Sequence, residues 1–339
     1  MNDNLLLALV CFIAMGITAL SGFWLIPFLR RLKYGQTILD IGPNWHKSKE
    51  GTPTMGGIMF ILGITVAVVV GFPLSEGSGV GGYFDLQQVM NTRLIAGLLM
   101  SLGFMAIGFA DDYVKVSKKQ NLGLTARQKL VFQFVIAAGY LAALYMSGDT
   151  STLVIIPVLG QLNLHIFYWP LAMLGIVYMV NSVNITDGLD GLLGSITLFA
   201  AMGFFAVALA LGLIEMQMLS AAVIGGCIGF LIWNHYPAKV FMGDTGSMFL
   251  GGLICALTFG VGMPVLIIPI GFIYIVESLS VVLQVISFKT TGKRIFKMSP
   301  IHHHFEMLGY TENQIVMAFS VIAAVGSVLA AFYIFNYFG

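Results

Sequence analysis

The chain has 339 residues, of which 58% are hydrophobic and 9% charged, with a formal charge of +1 and a mean hydropathy of +0.93. A soluble domain of this length carries far more charge, so the composition specifies an integral membrane protein, and the absence of a basic tract argues against nucleic acid as a partner. Cys11, Cys227 and Cys255 all fall inside apolar runs, which fits packing and neither a disulfide framework nor a metal-ligand spacing.

Apolar windows of roughly 17 to 25 residues mark spanning helices. Ten are predicted, near 4 to 29, 54 to 72, 92 to 110, 128 to 147, 166 to 184, 190 to 211, 217 to 235, 246 to 260, 264 to 288 and 312 to 336. The first has no positive flank ahead of it, so it is expected to remain as a helix and not to be removed as a signal peptide. The eighth is short and rich in glycine. The ninth carries Pro264 and Pro269 near its start and Glu277 within it, and interrupted spans often border a binding site. The loops 73 to 91 and 148 to 165 are glycine-rich or β-prone, and no repeat or second unit is visible. The expected fold class is therefore an all-α integral membrane protein, a single polytopic domain over 1 to 339.

If the spans alternate, Arg30, Arg31, Lys33, Lys47, Lys49, Lys115, Lys118, Lys119, Arg127, Lys129, Lys239, Lys289, Lys293, Arg294 and Lys297 share one side and only Arg93 lies on the other. By the positive-inside rule the shared side is cytoplasmic and both termini point outward.

The same alternation sends Asp111, Asp112, Asp187, Asp190, Asp244 and His302 to His304 to that edge. Asn181, Asn184 and Asp187 recur every third residue and would form one polar stripe down the last turns of a helix, which Gly188 and Gly191 then end. Asp111 and Asp112 close the third span, where the helix dipole disfavours negative charge and two adjacent carboxylates repel. A divalent cation completed by phosphate oxygens would remove that conflict, and Mg²⁺ suits one or two carboxylates plus substrate phosphates.

Taken singly, each feature has a plainer explanation. Asp111-Asp112 beside Lys115 fits a solvated helix end, Asp244 a helix cap, Asn181 and Asn184 interhelical hydrogen bonds, and the histidines a polar turn. Their convergence on one membrane face points instead to a site. Phe241 to Ser247 adds a helix start suited to phosphate, with Phe241 offering a flat face to a base. Lys49 to Gly57 adds a cation and a backbone that can be approached closely.

Five motifs in order then carry a resemblance: Thr52 to Gly57, Asp111-Asp112 with Lys115, Asn181 to Gly191, Pro237 to Ser247, and Ser299 to Glu306. Together they resemble bacterial phospho-N-acetylmuramoyl-pentapeptide transferase, translocase I of peptidoglycan synthesis, within the polyprenyl-phosphate N-acetylhexosamine-1-phosphate transferases. The resemblance implies transfer of phospho-MurNAc-pentapeptide from UDP-MurNAc-pentapeptide to undecaprenyl phosphate, giving lipid I and UMP with Mg²⁺, in the bacterial plasma membrane and as a homodimer. It places Asp244 and Asp187 at the metal, Asp111 or Asp112 at the lipid phosphate, and His302, His303 and His304 at the sugar diphosphate. It also places Asn184 and Asp190 by the nucleotide or metal, Phe241 against uracil, Lys49 and Asn234 near uridine, and Lys115 and Lys129 near phosphate. Thr54, Asn181, Gly188 and Leu189 complete the substrate-binding set. Attack could be direct or pass through a phosphoryl-aspartate. A related transferase for another N-acetylhexosamine, or a transporter using intramembrane carboxylates, are the alternatives.

Overall fold

In lipid a backbone amide has no water to bond, so each apolar run must satisfy its own N–H and C=O groups as helix. The computed structural model describes residues 2–32, 49, 51–75, 84–117, 123–156 and 160–337. In chain order its helices are α1 (Asp3–Arg31), α2 (Ile58–Ser75), α3 (Phe84–Ser117), α4 (Ala126–Met146), α5 (Tyr168–Thr186), α6 (Leu192–Ala210), α7 (Ile214–Asn234), α8 (Gly243–Gly260), α9 (Ile267–Ile270), α10 (Phe272–Thr291), α11 (Ile301–Glu306) and α12 (Glu312–Tyr337). Between α4 and α5 the β-prone loop forms an antiparallel hairpin, β1 (Leu153–Ile156) on β2 (Gly160–Asn163). Lys33, Lys47, Lys118 and Lys119 of the charge partition lie outside the described residues.

Among the described residues, α1 to α7, α10 and α12 are nine helices long and apolar enough to cross a membrane. The remaining expected span is α8. It has the same 18 residues as α2 but begins with the polar run Asp244, Thr245 and Ser247. Every residue from Thr245 to Gly260 is buried, because α8 is enclosed by α3 and α5 with α2, α6 and α7 also touching it. A helix surrounded by protein needs no lipid-facing apolar stripe. The outer faces of α1 and α12 supply that stripe instead, with Phe12, Phe23, Trp24, Val328 and Phe332 exposed.

Two expected boundaries move for physical reasons. The third span does not stop at residue 110, since α3 runs on through Asp111 and Asp112 to Ser117; Asp111 pairs with Lys115 one turn later at 2.6 Å, which sustains the helix past the apolar window. The ninth is broken into a 3₁₀ turn at Pro264–Leu266, the short α9, a break at Gly271 and then α10. Pro264 opens the 3₁₀ turn and Pro269 lies within α9, and neither has an N–H to give the preceding turn, which weakens the helix through this stretch.

At the end of the bundle opposite the acidic motifs, Arg93 of α3 pairs with Asp149 at 2.7 Å and donates through Nη1 to the Gly260 carbonyl at 2.9 Å. The guanidinium thereby sits on the negative end of α8 and fixes its last turn. Replacing Arg93 by Ala leaves Asp149 and that carbonyl without their donor, and should destabilise the protein by about 1–3 kcal/mol. A lower melting temperature in detergent checks this; an unchanged one would show that the contact does not hold α8.

Candidate functional site

The site begins where α3 and α8 touch. A methyl group on Gly108 would run into the carbonyl oxygen of Asp244, so the two backbones meet there with no side chain between them. That approach carries Asp112, one turn further along α3, to the first turn of α8. Its Oδ2 accepts from the Thr245 N–H at 2.9 Å and from the Thr245 hydroxyl at 2.7 Å, and its Oδ1 from the Asp244 N–H at 3.3 Å. The N-cap residue of α8, Met242, provides no side-chain acceptor, so Asp112 caps α8 from a neighbouring helix. An anion that would be misplaced near the end of its own helix is stabilised by the positive end of another.

Asp244 is not the cap of α8 but its second residue, and its carboxylate turns toward cations. Oδ2 lies 2.8 Å from Lys129 and 3.2 Å from Lys115, while Oδ1 accepts from Asn184 at 3.1 Å. Asp111 shares the same two lysines, at 2.6 Å from Lys115 and 3.0 Å from Lys129, and accepts the Leu124 N–H at 2.7 Å. One oxygen each from Asp111, Asp112 and Asp244 therefore lies within 4.8 Å of the others. Three carboxylates with hard oxygen donors converging from two helices are a donor set suited to Mg²⁺.

The polar stripe of α5 divides. Asn184 faces the cluster, donating to Asp244 and, at 2.8 Å, to Ser247. Asn181 instead exchanges amide hydrogen bonds with Gln133 of α4, at 2.8 and 3.3 Å, and joins two helices. Asp187, just past α5, lies outside the three-carboxylate set but feels it: burial, then Asp244, Asp112 and Asp190, push its carboxyl up to about 8. Among the described residues no cation reaches it. The three clustered carboxylates against two ammonium groups leave a formal charge of −1, and a divalent ion there would favour ionisation of Asp187 as well.

Around this centre the other motifs lock together. Phe241 donates its N–H to Pro53 and accepts from Gly56, both at 2.8 Å, and Gly57 donates to Met242 at 3.1 Å. Thr54 thus reaches the start of α8, beside partly exposed Phe241. Asn234 accepts from the Gly191 N–H and donates to the Val240 carbonyl. Lys49 bridges Asp190 at 2.7 Å and Glu312 at 2.6 Å, and Asp190 also accepts the Ala238 N–H. Glu312 was absent from the residues singled out in the sequence; its only signal there is its place at the start of the last span on the acidic side. Leu189 packs in the core.

The three histidines of α11 diverge, as successive helical side chains must. His302 pairs through Nδ1 with Glu277 of α10 at 3.0 Å, His303 with Glu306 at 2.6 Å, and His304 accepts the Lys297 N–H at 3.1 Å. Only His302 turns inward, against Gly188.

Comparisons with known proteins agree on one family. Glycosyl transferase family 4 matches residues 94–262, and the phospho-N-acetylmuramoyl-pentapeptide-transferase signature 1 matches residues 49–61, the loop paired with Phe241. Among curated relatives, the phospho-N-acetylmuramoyl-pentapeptide-transferase of Halalkalibacterium halodurans is 43% identical over 96% of this chain and 97% of its own. That of Heliobacterium modesticaldum is 44% identical over 94% and 96%. That of Bacillus subtilis is 43% identical over 87% of each.

The bare crossing of α3 on α8 makes a specific demand. Gly108→Ala should overpack the contact at a cost of about 1–3 kcal/mol and lower turnover, although Gly108 has no side chain to bind a ligand. Wild-type melting temperature together with wild-type turnover would show that the helices do not meet there.

Proposed function

The chain belongs to the phospho-N-acetylmuramoyl-pentapeptide transferase family, and we propose that it does so as an Mg²⁺-dependent enzyme whose acidic site faces the cytoplasm. It transfers phospho-MurNAc-pentapeptide from UDP-MurNAc-pentapeptide to undecaprenyl phosphate, giving lipid I and UMP. The observation that carries the Mg²⁺ assignment is the convergence of Asp111, Asp112 and Asp244 beside Lys115 and Lys129 at one end of the bundle. The charge partition of the loops supports the cytoplasmic orientation. A nucleotide sugar arriving from water and a lipid phosphate arriving from the membrane can both reach such an edge.

Asp244 and Asp111 would hold the metal, with Asp187 beside them. Asp112 keeps its oxygens on the first turn of α8 and so fixes where Asp244 stands. When bound, Mg²⁺ supplies charge neutralisation for phosphate oxygens and for the departing UMP. Lys115 and Lys129, which pair with Asp111 and Asp244, would bind the substrate phosphates. A phosphate monoester with a second pKa near 6 is mostly ionised at neutral pH, so these groups act chiefly by orienting it and organising charge. Phe241 and Thr54 would border the nucleobase, with Lys49 and Asn234 fixing the loops around it. His302 to His304 would border the sugar diphosphate. The homodimer belongs to the same proposal, and mass measurement in detergent tests it.

Purified protein with both substrates should release UMP only when Mg²⁺ is present, and chelation should abolish release. Asp244→Asn should lower turnover by at least about 100-fold while the protein still elutes as one folded species. Near-normal turnover by that variant would remove Asp244 from the metal.

A further inference from the structure

Glu277 belongs to none of the five motifs, yet it is the one acid set within α10 at 0% exposure. Its Oε2 lies 3.0 Å from Nδ1 of His302, which is 1% exposed. Two atoms of this pair have no hydrogen-bond partner among the described residues: Oε1 of Glu277 and Nε2 of His302, both fully buried. The free nitrogen is directed at Gly188, where a methyl group would run into Nε2 and Cε1. Gly188 joins Asp187 to Leu189 and Asp190, so His302 presents an uncommitted ring nitrogen to the turn that borders the acidic cluster.

A buried carboxylate kept only for stability is poorly motivated, because removing it from water costs more than one hydrogen bond to an imidazole returns. A carboxylate behind an imidazole has a different use. It fixes the ring's orientation and the state of the far nitrogen by accepting from the near one.

We propose that Glu277 is a positioning residue for the transfer reaction: it holds His302 so that the ring packs on the turn at Gly188 and fixes where Asp187 and Asp190 stand beside the acidic cluster. This rests on the reaction given above. Glu277 touches no substrate and acts through His302. Gly188 is the third member, since its lack of a side chain lets the turn lie directly against Nε2.

The test is kinetic. Glu277→Gln keeps the shape of the side chain and removes its charge, and should lower kcat about 10-fold or more while the KM for the nucleotide sugar stays within about twofold. In a His302→Gln background, adding Glu277→Gln should cost nothing further, because the residue has lost the group it acts on. A general packing role would make the two losses multiply. Unchanged kcat in Glu277→Gln, or multiplying losses in the double variant, overturns the proposal. Should Glu277→Gln fail to elute as a folded species, Gly188→Ala decides instead: it should reproduce the kcat loss, and near-normal kcat would overturn the proposal. Wild-type UMP release run alongside separates these outcomes, since its absence would refute the reaction itself and not the role of Glu277.

Discussion

Carboxylates gathered at the end of a membrane bundle must be neutralised from within the bundle, and that requirement fixes how α3, α5 and α8 sit together. Two unit charges within 4.8 Å of one another repel by at least about 3 kcal/mol at an effective dielectric near 20. Three such pairs rival a whole protein's typical stability of about 5–15 kcal/mol. The counterweights come from separate pieces of chain: Lys115 from α3, Lys129 from α4, Asn184 from α5 and the first amides of α8. Moving any one of these helices by a turn would leave a buried acid unpaired.

The sequence revealed the spans and the acidic motifs because both are local patterns: apolar length marks a helix, and Asp-Asp or Asp-Gly-x-Asp-Gly at its end stands out against so little charge. What it could not reveal is which group answers which. Asp244 looked like a cap for α8, but the cap comes from Asp112, 132 positions earlier. The stripe of Asn181, Asn184 and Asp187 was uniform in spacing, yet Asn181 bonds Gln133 while Asn184 bonds Asp244. Such choices depend on which helix lies opposite, and helical periodicity carries no information about that. Glu312 escaped notice for the same reason. A glutamate at a helix start is ordinary until Lys49 is seen between it and Asp190.

The two ends of α8 explain how one enclosed helix can organise a reaction at the membrane surface. Its positive end meets Asp112, and its negative end meets Arg93, which Asp149 in turn holds. Backbone groups at both ends are thus answered inside the protein, so the helix can stay buried along its length. Being enclosed on all sides also makes its first turn a fixed reference for Asp244.

That fixed reference matters because several other elements of the site are loops. The segment at Pro53 to Gly57 is tied to Phe241 and Met242 by backbone hydrogen bonds, and Asp190 is tied to Ala238 and Lys49. Each of these links runs to the few residues just before α8 or to a partner they hold. Loops far apart in sequence are thereby brought into register with one rigid helix start. Positioning of this kind is what phosphoryl transfer mainly asks of a protein, since the phosphate and metal carry most of the chemistry.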